Sequence, residues 1–116
     1  MSESQIQRDV LKAIGAAPGL VLKRNHVGRG ERFDTRTHDV RHETYGLGVG
    51  SPDIVGILGP TGRWFCLETK TPKGRLSEKQ KEWHRMARSM GAFVAVARSV
   101  DEARAALERA RNGESE

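Results

Sequence analysis

The sequence predicts an α/β fold in which a mixed β-sheet is flanked by helices. The prediction rests on apolar residues at helical spacing in three segments and on short apolar or alternating runs between them. Glycine- and proline-rich turns punctuate the two kinds of segment. At 116 residues, one domain spanning 1–116 with a modest core is expected.

The elements follow in order. Ser2 reads as a helix N-cap with Gln5 as its capping-box partner, and Ile6, Val10, Leu11 and Ile14 then recur at helical spacing. Gly15 and Pro18-Gly19 stop that helix, and residues 20–26, LVLKRNH, read as a strand that turns polar at its end. Residues 27–50 hold five glycines, four arginines and two of the four histidines, with few apolar residues. No period emerges there, so the segment reads as a long basic loop, functional or mobile. Residues 53–58, DIVGIL, read as a buried strand, followed by the turn Gly59-Pro60-Thr61-Gly62 and a strand over 63–70, RWFCLETK. So short a turn predicts an antiparallel hairpin. Ser77 with Gln80 opens a helix to about Met90, Gly91 ends it, and residues 92–98, AFVAVAR, form another strand. The strand–helix–strand unit from 63 to 98 predicts a parallel crossover. Ser99 with Glu102 caps a last helix carrying Val100, Ala103, Ala106, Leu107 and Ala110 on one side, and the tail 112–116 is expected to fray. The predicted order is α-β-β-β-α-β-α.

Lysine and arginine total 20 against 15 acids, giving +5 and a pI near 9.9. That excess favours a polyanionic partner, because neutralising phosphates releases counterions. Cys66 is the only cysteine, so no intramolecular disulfide can form; it reads as a small apolar strand residue in a reducing compartment. No apolar run approaches the roughly 20 residues of a membrane span, and MSESQIQRDV lacks the apolar centre of a signal peptide. A cytoplasmic protein without a membrane partner is expected.

Asp53 opens one strand of the predicted hairpin, and Glu68 and Lys70 lie near the end of the other. Alternation puts Glu68 and Lys70 on one face with Thr69 opposite, and the turn folds Asp53 back beside them. Two carboxylates and an amine at one sheet edge suit phosphodiester hydrolysis. The carboxylates offer a hard divalent cation oxygen ligands, the carbonyl of Thr69 can add another, and the lysine can position water or balance developing charge.

Pro52-Asp53 followed by Glu68-Thr69-Lys70 resembles the PD-(D/E)XK nuclease signature. The surroundings narrow the resemblance. Gly50-Ser51-Pro52-Asp53-Ile54-Val55, then Phe65 through Pro72, then Gly74-Arg75-Leu76-Ser77, Gln80 and Gly91 are similar to the VRR-NUC (virus-type replication-repair nuclease) group over about residues 2–98. The resemblance implies a restriction-endonuclease-like core, Mg²⁺ or Mn²⁺ as cofactor, and DNA as substrate. It further implies site roles for an early helical acid, matched by Glu3, and for a glutamine on the helix after the ExK strand, matched by Gln80. Short stand-alone phage and bacterial members are similar to homodimeric enzymes acting on branched DNA such as four-way (Holliday) junctions.

Each residue also has a plainer explanation. Asp53 suits a turn after proline, Glu68 a charged strand end and Lys70 a solvated edge. Glu3 in a first helical turn is favoured by the helix dipole, and Gln80 suits the capping box of Ser77. Arg24, Arg29 and Arg32, with Arg36 and Arg41, are candidate DNA-backbone contacts around the long loop, and Lys73 and Arg75 are candidate phosphate clamps after the ExK strand. A charge-rich loop is also what a solvated surface looks like. The histidines at 26, 38, 42 and 84 lack the compact spacing of a structural zinc site; His26 or His42 could contact phosphate or assist a proton transfer, though solvated loop positions suit those two better. Trp64 and Trp83 read as core or interface residues. The leading expectation is a metal-dependent endonuclease on branched DNA. A broader flap or end nuclease, and a non-catalytic DNA-binding subunit on a nuclease-like fold, are its rivals.

Overall fold

The computed structural model describes residues 1–115, in which three helices and six strands form. In chain order these are α1 (Glu3–Ile14), β1 (Leu20–Arg24), β2 (Gly28–Asp34), β3 (Asp39–Tyr45), β4 (Ile54–Leu58), β5 (Arg63–Thr69), α2 (Glu78–Ser89), β6 (Phe93–Ala97) and α3 (Val100–Arg111). Serine hydroxyls open all three helices: Ser2, Ser77 and Ser99 each accept from a backbone N–H three residues on, at 3.1 Å.

The main sheet runs β1-β4-β5-β6. β1 and β5 each pair antiparallel with β4, while β5 and β6 pair parallel across the α2 crossover. The mixed α/β sheet flanked by helices is therefore as the sequence predicts. Residues alternate across it. Leu20, Leu22, Ile54, Leu58, Phe65, Leu67, Phe93 and Ala95 join Ile6, Val10 and Ile14 of α1 and the alanine-rich face of α3 in one core. Small residues at Ala103, Ala106 and Ala110 let α3 lie close to the sheet. Phe65 and Phe93 are register partners and stack with centroids 5.5 Å apart. The opposite face is covered by α2 only in part, through a small cluster of Cys66, Ala87 and Val94 with Trp83 beside it. β5 is thus sandwiched at its C-terminal half, where Phe65 through Thr69 are all buried. No helix among the described residues is long and apolar enough to cross a membrane.

Two expectations are corrected. Residues 27–50 are not an irregular loop: β2 and β3 form a separate two-stranded antiparallel ribbon, with Arg32 opposite Arg41 and Phe33 opposite Val40. Both of its faces meet solvent, so no apolar alternation marks its strands. Nor is the segment basic: Glu31, Asp34, Asp39 and Glu43 offset its four arginines, and with neutral histidines its formal charge is zero. The tail is also better held than expected. Gly113 adopts φ +78 and closes α3, Glu114 N–H donates to Arg109 O at 3.0 Å, and Arg63 Nη1 donates to Glu114 O at 2.7 Å. The last residue of the expected frayed tail, Glu116, lies outside the described residues.

Candidate active site

The β4–β5 register sets Ile54 opposite Leu67, which brings Asp53, one residue before β4, to the level of Glu68. Asp53 is fixed from both sides. Its Oδ2 accepts from Thr69 N–H and from Thr69 Oγ1, each at 2.9 Å. Its carbonyl accepts from Asn25 N–H at 2.7 Å. The Asn25 amide nitrogen donates to Ser51 Oγ and Pro52 O, both at 2.8 Å, and its Oδ1 accepts from Leu47 N–H at 3.1 Å. One asparagine after β1 thereby ties the exit of the β2–β3 ribbon to the approach to Asp53.

Glu68 is fully buried. Burial, then a side-chain hydrogen bond shared with Asp53 and the charge of that carboxylate, push its pKa up to about 9; Lys70 pulls it down and Glu3 adds a smaller upward push. Asp53, Lys70 and Glu3 thus all act electrostatically on Glu68. Glu68 Oε1 lies 3.1 Å from His84 Nε2 of α2, while Glu68 Oε2 is buried without a hydrogen-bond partner. Such an atom costs about 1–3 kcal/mol when nothing compensates it. Burial, and then the Arg88 guanidinium, push the His84 pKa down to about 4, so its imidazole is neutral near pH 7.

An unpartnered buried carboxylate oxygen beside a second carboxylate is a donor set that fits a hard divalent cation. Among the described residues no group of three or more His, Cys, Asp or Glu side chains converges, so a metal here would draw further oxygens from the backbone, from solvent or from substrate. Lys70 follows the buried run of β5 and is half-buried. The next loop is clamped by Arg98, whose Nη1 donates to Thr71 O at 2.6 Å and to Gly74 O at 2.7 Å. Gly74 lies against the Lys70 stem, since a β-carbon there would sit 3.4 Å from Lys70 Cβ and Cδ. Lys73 and Arg75 are exposed on this clamped loop.

The other sequence candidates divide. Glu3 begins α1 and is half-buried, close enough to act on Glu68. The Oε1 of Gln80 accepts from Ser77 N–H at 2.8 Å, completing the capping box. Arg24 and Arg29 are exposed, and Arg32 is ion-paired to Glu43 at 3.7 Å on the ribbon. The sequence reading missed Asn25 and His84 as parts of the site. His84 stands four residues after Gln80 and three before buried Ala87, so helical periodicity marks it as inward-facing.

The family model of the VRR-NUC domain matches residues 2–101 of the 116. The chain belongs to the VRR-NUC family. The match runs from the N-cap of α1 into the first turn of α3, so the main sheet, the ribbon and α2 of this VRR-NUC domain all lie within it. It is a nuclease domain of the PD-(D/E)XK type, with nucleic acid chemistry on DNA as its business, and domains of this type generally use divalent metals. No curated protein matches the chain.

Proposed function

We propose that this VRR-NUC chain is a Mg²⁺- or Mn²⁺-dependent DNA endonuclease with Asp53, Glu68 and Lys70 at its centre. The observation that carries the reading is Glu68 Oε2, buried and unpartnered, beside an Asp53 that is itself held by Thr69. Asp53, Glu68 and the Thr69 carbonyl would hold the cation, which when bound supplies charge neutralisation at the scissile phosphate and a more acidic water. Lys70 would orient an attacking water and balance the developing negative charge; the water oxygen bonds phosphorus, the ester P–O bond breaks, and the proton lost by the water ends on the leaving oxygen. Glu3 assists through solvent at the cation, and Gln80 steadies Lys70 or the nucleophile once its cap bond is exchanged. Arg24, Lys73 and Arg75 grip the DNA backbone, with Arg29 and Arg32 secondary because acids share their ribbon. The buried Cys66 thiol, its pKa pushed up to about 11 by burial, suits a reducing cytoplasm.

Branched DNA, with four-way junctions first, is the proposed substrate, cut by a homodimer. Val21, Ile57 and Trp64 stand side by side across β1, β4 and β5, and are 62%, 49% and 47% exposed. Beside them a groove of about 350 Å³ is lined by Trp83, Met86 and Met90. Such a continuous apolar surface supports pairing of two copies. A cleavage panel of junction, flap, linear duplex and single strand, with and without Mg²⁺, tests the assignment. Asp53→Ala and Lys70→Ala are each expected to lower the rate by at least about 100-fold, the scale of losing a key electrostatic group. Unchanged cutting by either variant rules the assignment out.

A further inference from the structure

His84 sits on α2, outside the PD…ExK signature, yet its side chain is 2% exposed and reaches the buried Glu68 carboxylate. A buried imidazole in a nuclease domain has three possible duties: ligand, proton carrier or support. Its Nε2 points at Glu68 Oε1 from 3.1 Å, so that nitrogen is already engaged. Its side chain is 2% exposed, so it does not stand in bulk water as a proton carrier to solvent would. Support is the remaining duty, and the geometry is specific. A glutamate carboxylate rotates freely about its last torsion, and its two oxygens are chemically equivalent until something distinguishes them. Here Oε1 lies against His84 and Oε2 meets no donor, while the carboxyl group as a whole shares a side-chain hydrogen bond with Asp53.

We propose that His84 is a positioning residue for Glu68: its Nε2–H holds Oε1, and thereby presents Oε2 to the divalent cation. This rests on the metal reading of Asp53 and Glu68 given above. The support is itself fixed, because α2 is anchored by the Ser77–Gln80 capping box and by Ala87 packed on Cys66 and Val94. Donors that orient metal-binding carboxylates from behind commonly change metal affinity by roughly 10–100-fold when removed.

The test is calorimetric titration of the full chain with Mn²⁺, on the natural sequence and on His84→Gln, His84→Asn, Val94→Ala and Asp53→Asn. A glutamine amide reaches about as far as imidazole Nε2, while an asparagine amide stops short. His84→Asn is expected to weaken Mn²⁺ binding by roughly 10–100-fold, and His84→Gln to recover most of it. Val94→Ala, a packing change on the same face, is expected to lower the melting temperature without moving the Mn²⁺ affinity. In cleavage, His84→Asn should raise the Mn²⁺ concentration for half-maximal rate while kcat recovers at saturation. If His84→Asn binds Mn²⁺ like the natural chain while Asp53→Asn does not, the role of His84 is overturned and the metal reading stands. Natural affinity in Asp53→Asn overturns both.

Discussion

Glu68, proposed above as a cation ligand of this VRR-NUC domain, also bears on its stability. With its pKa raised to about 9, its proton is kept by the folded metal-free chain at pH values where an unfolded chain has already released it. Its contribution to stability is full below its ordinary value near 4.5 and is lost as pH rises through 9. His84 has the opposite sign: its pKa is lowered to about 4, so its contribution is full above 6.5 and lost as pH falls through 4. The two oppose one another between 4.5 and 6.5, and from 6.5 to 9 Glu68 acts without His84. The melting temperature of the metal-free chain is therefore expected to fall steadily from about pH 6.5 to 9. Saturating Mg²⁺, which needs the ionised carboxylate, should raise the melting temperature most at the alkaline end. Calorimetric scans across that range with EDTA and with Mg²⁺ check both slopes; a metal-free profile that rises to pH 9 would sink the account of Glu68.

At the scale of the element, α2 carries two duties through one residue. Gln80 completes the capping box with Ser77, and the same side chain is proposed to steady the chemistry. Glutamate serves a capping box as well as glutamine does, so Gln80→Glu separates the duties. Gln80→Ala should cost about 0.5–1.5 kcal/mol in urea unfolding, the net scale of one hydrogen bond, and Gln80→Glu should restore it. If Gln80→Glu restores stability but not cleavage, the amide acts in catalysis; if it restores both, the residue is a cap alone. The β2–β3 ribbon gives a second prediction at this scale. Its strands pair with each other and with no strand of the main sheet. Replacing residues 28–45 by a short Gly-Ser link should leave a cooperative unfolding transition and the Mn²⁺ affinity of the main sheet intact. Loss of either would mean that the Asn25 clasp needs the ribbon to hold Asp53.

For the molecule as a whole, charge placement decides how DNA would be held. The net +5 falls entirely outside residues 27–50, because arginines and acids cancel on the ribbon. Lys73 and Arg75 instead project from a loop that Arg98 clamps beside Lys70. Removing a lysine or arginine that meets a phosphate lowers the slope of log affinity against log salt by about 0.9. In an Asp53→Asn background, which prevents cutting, Lys73→Ala and Arg75→Ala should each lower that slope by roughly this amount in anisotropy titrations. Arg32→Ala, relieved only of its Glu43 pair, should change it little. Equal effects from all three would show that the ribbon meets the backbone as closely as the clamped loop does.

The sequence by itself determined the β4–β5 hairpin, the parallel crossover through α2, the three capped helices and the meeting of Asp53 with Glu68. Those follow from local rules: serine caps, period-two and helical patterns, and a short turn whose register is set by the burial of one face. Only the tertiary structure decided what local rules leave open. The ribbon's strands bury neither face and so left no periodic mark. The hold of Asn25 on Asp53 joins segments 28 residues apart, and His84 reaches Glu68 only because α2 lies across the sheet. The physical reason is that a residue's backbone period is written in its neighbours, whereas its hydrogen-bond partner is chosen by which distant element packs against it.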